Sequence, residues 1–432
     1  MAAADARPPV EDWATDYDIF DPSYCSDPGP IWADLRDRCP IAHSERWGGS
    51  WLPTRYDDVA EMARLVPALS SVEFIVVPPV PLRDPETGEV LRARPYAPPI
   101  SSDPPFHGVA RRLILPAFSP QAVAAHEPYT RELAHRLIDG FVGEGGCDGA
   151  VDFAQQIPPR VIAHLMGLDE NRGDDFIQWV RGILELGATD PELRVATGLK
   201  MFAFWAEEIA KRRAQPGDAR GSGGVPHGDF ISWLLAGDLD GQPVDDNHAM
   251  SVCNLLLIAG IDTTWSSIGS ALWHLATHPD DRQRLVDEPE LLPTAVEEFL
   301  RVYSPVTMGR LATEDVTVDG VTIPAGSRVL MNFPAANRDP GQFPDPDTVV
   351  IDRAHNRHVA FGIGIHRCAG SNLARMEMQV ALSVFLERIP EFHLADTRGP
   401  HLPPGTPDPT VIWAGGQVRG PRTLPLTFST AH

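Results

Sequence analysis

Residues 361–370 read Phe-Gly-Ile-Gly-Ile-His-Arg-Cys-Ala-Gly, and this stretch decides how the rest of the chain is read. Its three glycines let a backbone come close to a flat ligand, because no Cβ stands in the way. A helical pattern from Asn372 to Leu386 follows, so Cys368 lies at a helix N-terminus. Amide donors and the helix dipole there favour thiolate over thiol. Two blander readings stand beside this one. A lone cysteine is most often a small buried hydrophobe. A zinc site could draw on His355, His358, His366 and Cys368, although their spacing matches no paired C-x-x-C and H-x₃₋₅-H arrangement. The glycine frame favours a built pocket.

Bulk properties narrow the classes. The chain has 432 residues, 43% of them hydrophobic, which is ample for a large core. Its net charge of −23 disfavours nucleic acid and anionic membrane surfaces as partners. Cys25, Cys39, Cys147, Cys253 and Cys368 are scattered and odd in number. This predicts a reducing compartment and no disulfide framework. The first residues, Met-Ala-Ala-Ala-Asp-Ala-Arg-Pro-Pro, carry no apolar run of signal-peptide type.

Outward from the cysteine loop the pattern is mostly helical. Residues 1–18 read as a loose acidic arm. Pro30–Arg38 and Tyr56–Leu65 read as short helices, with a strand or hairpin over Trp47–Leu52. Val66–Pro105 is proline-rich and aperiodic, with a turn at 84–88; loops of that length tend to be functional. Helices are expected near 106–115, 121–143, 156–166, 172–187 and 192–214, then a Gly/Pro/Ser-rich linker at 215–228. A long helix follows, from an Asp245 or Asp246 cap to Thr277. Between His248 and Pro279 its only charged residue is Asp262, yet Asn254, Asp262, Thr263, Thr264, Ser266, Ser267, Ser270 and His274 interrupt it, so it reads as buried in a globular core. More helix runs from Asp280 to Val302, a small β-region spans Val316–Leu330, and an irregular Ala335–Asp352 segment leads into the cysteine loop.

Other patterns carry chemistry. Ala259-Gly260-Ile261-Asp262-Thr263-Thr264 lies inside the long helix. Glycine there costs about 1 kcal/mol relative to alanine, so Gly260 needs a reason, and a flat cofactor passing close by would supply one. Thr263 can bond back to the carbonyl four residues earlier and open a groove. Alone, the motif would be an ordinary buried threonine and a surface aspartate. Glu298 and Arg301 sit at i and i+3, and His107 and Arg111 at i and i+4, each pair on one helix face.

The loop fits F-G-x-G-x-H-x-C-x-G, and it resembles the haem-thiolate loop of the cytochrome P-450 monooxygenases. The resemblance extends over nearly the whole chain. It implies one catalytic domain over 1–432, mainly α with a small β-rich lobe. Haem b would lie between the long central helix and the cysteine-ligand helix. Cys368 would be the iron ligand, framed by Phe361, Gly362 and Gly370, with Ala259 and Gly260 opposite. His107, Arg111, Arg310 and His366 match the propionate partners. Asp262, on the solvent side, and Thr263 would deliver protons for O–O cleavage. Glu298, Arg301 and Arg353 would form an ionic cluster bracing the cysteine loop. The resemblance implies O₂-dependent hydroxylation, epoxidation or O-dealkylation of a hydrophobic small molecule. A haem-sensing protein is the other class that such a loop could serve. Tyr96, Trp179, Ile183, Leu255, Ile258, Val306 and Met308 are the pocket candidates; Arg92 and Arg94 could meet a carboxylate or face water. Electrons would come from a separate ferredoxin and NAD(P)H-dependent reductase, the ferredoxin docking on Arg112, Arg357, Arg367 and Arg375. No membrane anchor is expected, which points to a soluble, cytoplasmic, bacterial-type protein.

Overall fold

A computed structural model describes residues 8–79, 81–83, 87–92, 94–215, 228–395 and 411–430, the side chains at 82, 83, 91 and 92 excepted. Its axis is the helix Asp246–Thr277, capped where Asp245 accepts from the His248 amide. The helix stops at His278 because the residue before a proline disfavours the helical conformation. It is long and apolar enough to cross a membrane, yet 67% of its most apolar window is buried inside the protein. The helices Ile157–Leu165, Gly173–Val180, Pro191–Ala214 and Ser371–Arg388 pack against it. Val161, Ile261, Leu272 and Leu382 are among the buried residues of this core.

The β-rich lobe centres on a five-stranded sheet of order Ile41–Ser44, Ser50–Pro53, Arg328–Met331, Met308–Ala312, Leu69–Ser70. Arg310 pairs with Val329, and Gly309 with Leu330, in antiparallel register. Strand alternation puts Met308 and Arg310 on one face and Gly309 on the other. Gly309 has no room for a side chain: a Cβ would collide with the backbone oxygens of Ile75 and Glu73. The sheet therefore presses on the 71–75 segment while Met308 and Arg310 face the helices.

Several expectations change. The acidic arm is not loose over residues 8–18. Trp13–Asp16 is a helix, Tyr17 is buried with its hydroxyl 2.6 Å from Ser50 Oγ, and Asp16 and Asp18 pair with Arg46. Asp12 pairs with a second arginine, Arg38, at 2.7 Å. The expected 121–143 helix is broken into Pro120–Ala124 and Glu127–Asp139, with a proline at the second start. Gly146–Asp148 pairs with Pro425–Phe428, which pairs with Phe392–Leu394. These short strands have no pattern long enough to read. The 215–228 linker lies almost wholly outside the described residues, as do positions 84–86 of the expected turn.

Candidate active site

The cysteine loop is built by its glycines. Gly362 and Gly364 have φ of +69° and +76°, the left-handed region that other residues avoid. They turn the chain so that the Cys368 amide donates to the Phe361 carbonyl at 2.8 Å. Cys368 then opens into a cavity three residues before the helix Ser371–Arg388, whose N-cap is Gly370. Burial pushes its thiol pKa up, opposed by the Gly370 amide and the charges of Arg111, Arg367 and Arg375.

Cations gather at the edge of this cavity. Arg310 is 4% exposed, its Nη1 donates to its neighbour's carbonyl, and its Nε has no partner. Burial pushes its pKa down to about 10. His107 is buried with Nε2 unpartnered, and its ring lies 4.3 Å from that of His366. His366 meets Ser71 Oγ at 2.9 Å, and burial with Arg310 nearby pushes it down to about 3. Arg111 donates to the Arg367 carbonyl. Ser71, which the sequence reading missed, carries no local signal: its partner is 295 residues away.

On the long helix, Thr263 Oγ1 donates to the Ala259 carbonyl at 2.7 Å and faces the cavity with Ala259 and Gly260. A Cβ on Gly260 would lie 3.0 Å from Ile162 Cδ1. The close crossing of the helix Ile157–Leu165 thus adds a second constraint at Gly260, which also lines the cavity. Asp262 differs from expectation. It is 1% exposed, is absent from the cavity lining, and pairs with Arg422 Nη2 at 2.9 Å. Ser266 donates to it at 3.2 Å. Burial raises its pKa against the pull of Arg422. Arg422 also lies 3.2 Å from Glu185, which pairs with the partly exposed Arg181, so a file of charges leads from Asp262 to the surface.

Below the loop, Glu298 and Arg301 are fully buried and doubly hydrogen-bonded at 2.7 and 2.8 Å. Arg353 joins Glu298 at 3.0 Å, and the Val350 amide and Asn356 bond to it too. Arg301 also holds the carbonyls of Asn337, Pro346 and Thr348. Burial alone would raise the Glu298 pKa, but these partners hold it below the ordinary value. The neighbouring Glu297 binds Arg375 and His358, and is held at about 2. Arg375 is therefore neutralised, and Arg112 faces Asp240 at 3.5 Å, so the expected basic surface is thinner than four free arginines.

The cavity takes in Leu255, Val306 and Met308. It leaves out Ile258 and Ile183, which pack into the core, and Trp179, which packs on Phe176 and Phe204. Tyr96 instead bonds His248 at 3.2 Å beside a separate, shallower pocket. Arg94 is tied to Glu73 at 2.9 Å, and the Arg92 side chain lies outside the described residues. The sequence reading also missed Glu377, which lines the cavity from the cysteine helix. It could have been found there, because it interrupts the apolar stripe Leu373, Met376, Val380.

A flat, anionic, metal-bearing group fits this donor set. An isolated buried charge such as Arg310 costs several kcal/mol, which cofactor carboxylates would offset, and His107 and Arg310 hold donors with no protein partner. A cytochrome P-450 family model matches residues 195–406. Mycinamicin IV hydroxylase/epoxidase of Micromonospora griseorubida is 35% identical over 88% of this chain and 89% of its own. Vitamin D(3) 25-hydroxylase of Pseudonocardia autotrophica is 36% identical, over 88% and 90%. The solved structure of a cytochrome P-450 from Chondromyces apiculatus superposes with a TM-score of 0.81 at 32% identity, covering 97% of this chain and 100% of that one. Haem is the cofactor of this family, and O₂ and redox partners belong to its chemistry. The chain belongs to the cytochrome P-450 family and is a monooxygenase of that family.

Proposed function

We propose that this chain holds haem b through Cys368 as a single catalytic unit. It would insert one atom of O₂ into a hydrophobic small molecule by hydroxylation, epoxidation or O-dealkylation. The observation that carries this is the cavity itself, which brings the Cys368 thiol, Thr263 and unpartnered cations to one space. When bound, the haem supplies oxygen activation, and its thiolate ligand favours O–O cleavage. His107, Arg111, Arg310 and His366 bind the cofactor carboxylates, Arg with a geometry suited to them. Thr263 keeps a proton at Oγ1 on the cavity face. Asp262 exchanges protons with it only when its carboxylate turns from Arg422, so that pair acts as a gate. Leu255, Val306 and Met308 exclude water and receive apolar substrate. Two relatives are named for oxidising mycinamicin IV and vitamin D(3), and hydrophobic substrates are the class this lining suits.

Electrons come, in this reading, from a ferredoxin with an NAD(P)H-dependent reductase in the cytoplasm. Exposed Arg367, two residues from the 42% exposed Ile365, and exposed Arg357 support a cationic docking face. The test is the difference spectrum of dithionite-reduced protein with and without carbon monoxide. A strongly red-shifted Soret band is expected, and Cys368→Ser should abolish it. A band of the histidine-ligated type, or no haem signal in protein made with ample haem, would overturn the reading.

A further inference from the structure

We propose that Glu297 is a positioning residue for Cys368: it fixes the Arg375 guanidinium against the cysteine loop, cancels its charge, and so sets the reduction potential of the bound haem. The inference rests on the haem-dependent reading above. Glu297 and Glu298 are neighbours on the helix Leu292–Val302, but adjacent helical positions do not face the same way. The two acids hold different things. Glu298 binds Arg301 and Arg353. Glu297 grips the loop itself at both ends. Its Oε2 accepts from Arg375 Nη2 at 2.8 Å and from His358 Nε2 at 3.0 Å. His358 stands three residues before Phe361, and Arg375 seven residues after Cys368. His358 Nδ1 accepts from the Ala360 amide at 3.2 Å, which leaves the Nε2 proton for Glu297. Arg375 lies over the Phe361 ring, 4.5 Å from its centroid. The Phe361 carbonyl in turn takes the Cys368 amide at 2.8 Å. One carboxylate thus ties both arms of the loop to the residue that holds the cysteine backbone.

Charge is the other half of the role. Burial pushes the Cys368 thiol pKa up, and Arg375 is among the cations that oppose this, so its field reaches the sulfur. Burial alone would raise the Glu297 pKa too, but Arg375 and His358 hold it at about 2, so it stays ionised. Both nitrogens Nε and Nη2 of Arg375 meet the two oxygens of this carboxylate, the bidentate geometry that pairs the charges most closely. Reduction adds one electron at the iron. A nearby cation favours that step and a nearby anion opposes it. The pair therefore leaves the guanidinium free to stack on Phe361 while offsetting its pull on the electron. Glu297 does not line the cavity; it acts through Arg375 and Phe361.

The test is the reduction potential of the holoenzyme, read by spectroelectrochemical titration without substrate. Glu297→Gln keeps the side-chain shape and unmasks Arg375. It should favour the reduced form by about tenfold, which is about 59 mV for one electron. Arg375→Gln removes the cation and should disfavour the reduced form by a similar factor. The double variant should return close to the unmodified protein. The carbon monoxide band should keep its thiolate position throughout. A clamp without an electrostatic role predicts both single variants displaced in one direction. That result, the reverse order, or unchanged potentials would overturn the proposal. Where Glu297→Gln holds no haem, Arg375→Gln decides: a lowered potential supports the proposal, and a raised or unchanged one overturns it. Loss of the thiolate band in both single variants would reduce the pair to a structural brace and overturn it as well. Absence of that band in the unmodified protein would instead overturn the haem reading.

Discussion

Replacing Arg422 by Met removes the cation facing Asp262, and its effect should depend on pH. Removing one partner of a buried ion pair costs about 3–5 kcal/mol. Here the loss is capped, because Asp262 can take up a proton instead. Keeping a carboxyl protonated costs about 1.4 kcal/mol per pH unit above its unfolded pKa near 3.9. That is roughly 4 kcal/mol at pH 7 and roughly 1.5 kcal/mol at pH 5. Burial already raises the Asp262 pKa, and losing Arg422 raises it further. A raised carboxyl pKa means that the folded state binds more protons than the unfolded one. Stability then falls as pH rises from about 4 toward the folded pKa. Urea unfolding midpoints of the two proteins at pH 5 and pH 7 measure this. Combining Asp262→Asn with Arg422→Met should flatten the difference. An equal penalty at both pH values would refute the reasoning, since it would mean that Asp262 is already neutral beside Arg422.

Thr263→Ala should divert NAD(P)H electrons from product to peroxide, and unchanged coupling would count against the role given to Oγ1. Glu298→Gln leaves Arg301 and Arg353 without their counter-ion and should cost about 3–5 kcal/mol; a midpoint shift worth under about 1 kcal/mol would show the cluster to be weakly coupled to the fold. Gly309→Ala should cost about 1–3 kcal/mol, because the sheet and the 71–75 segment must part; wild-type stability would contradict the packing described.

The cysteine loop and the long helix were legible because their constraints are local. Gly362 and Gly364 answer to their own φ, and the long helix shows its cap, its period and its proline stop within its own span. What escaped depends on distant partners. Asp262 was expected on the solvent side, and nothing near it in sequence announces Arg422, which holds it in the core. Tyr17 and Asp18 looked like a solvated arm because Ser50, Arg46 and Trp47 are not neighbours in sequence. Trp179 and Ile183 sit on a helix whose apolar face gave no means of telling core from cavity. Glu377 was the exception, a local break in an apolar stripe that carried the signal.

The distance between Asp262 and Arg422 also bears on how the protein is made. At about 5–20 residues per second, roughly 8–30 s separate the synthesis of the long helix from that of the arginine that closes it. Throughout that interval the middle of the helix holds a carboxyl with no counter-charge. The helix can be wrapped only with that carboxyl neutral or still wet. The strand carrying Arg422 thus acts as a late clasp, admitting an ionised Asp262 to the core once the surrounding helices are in place.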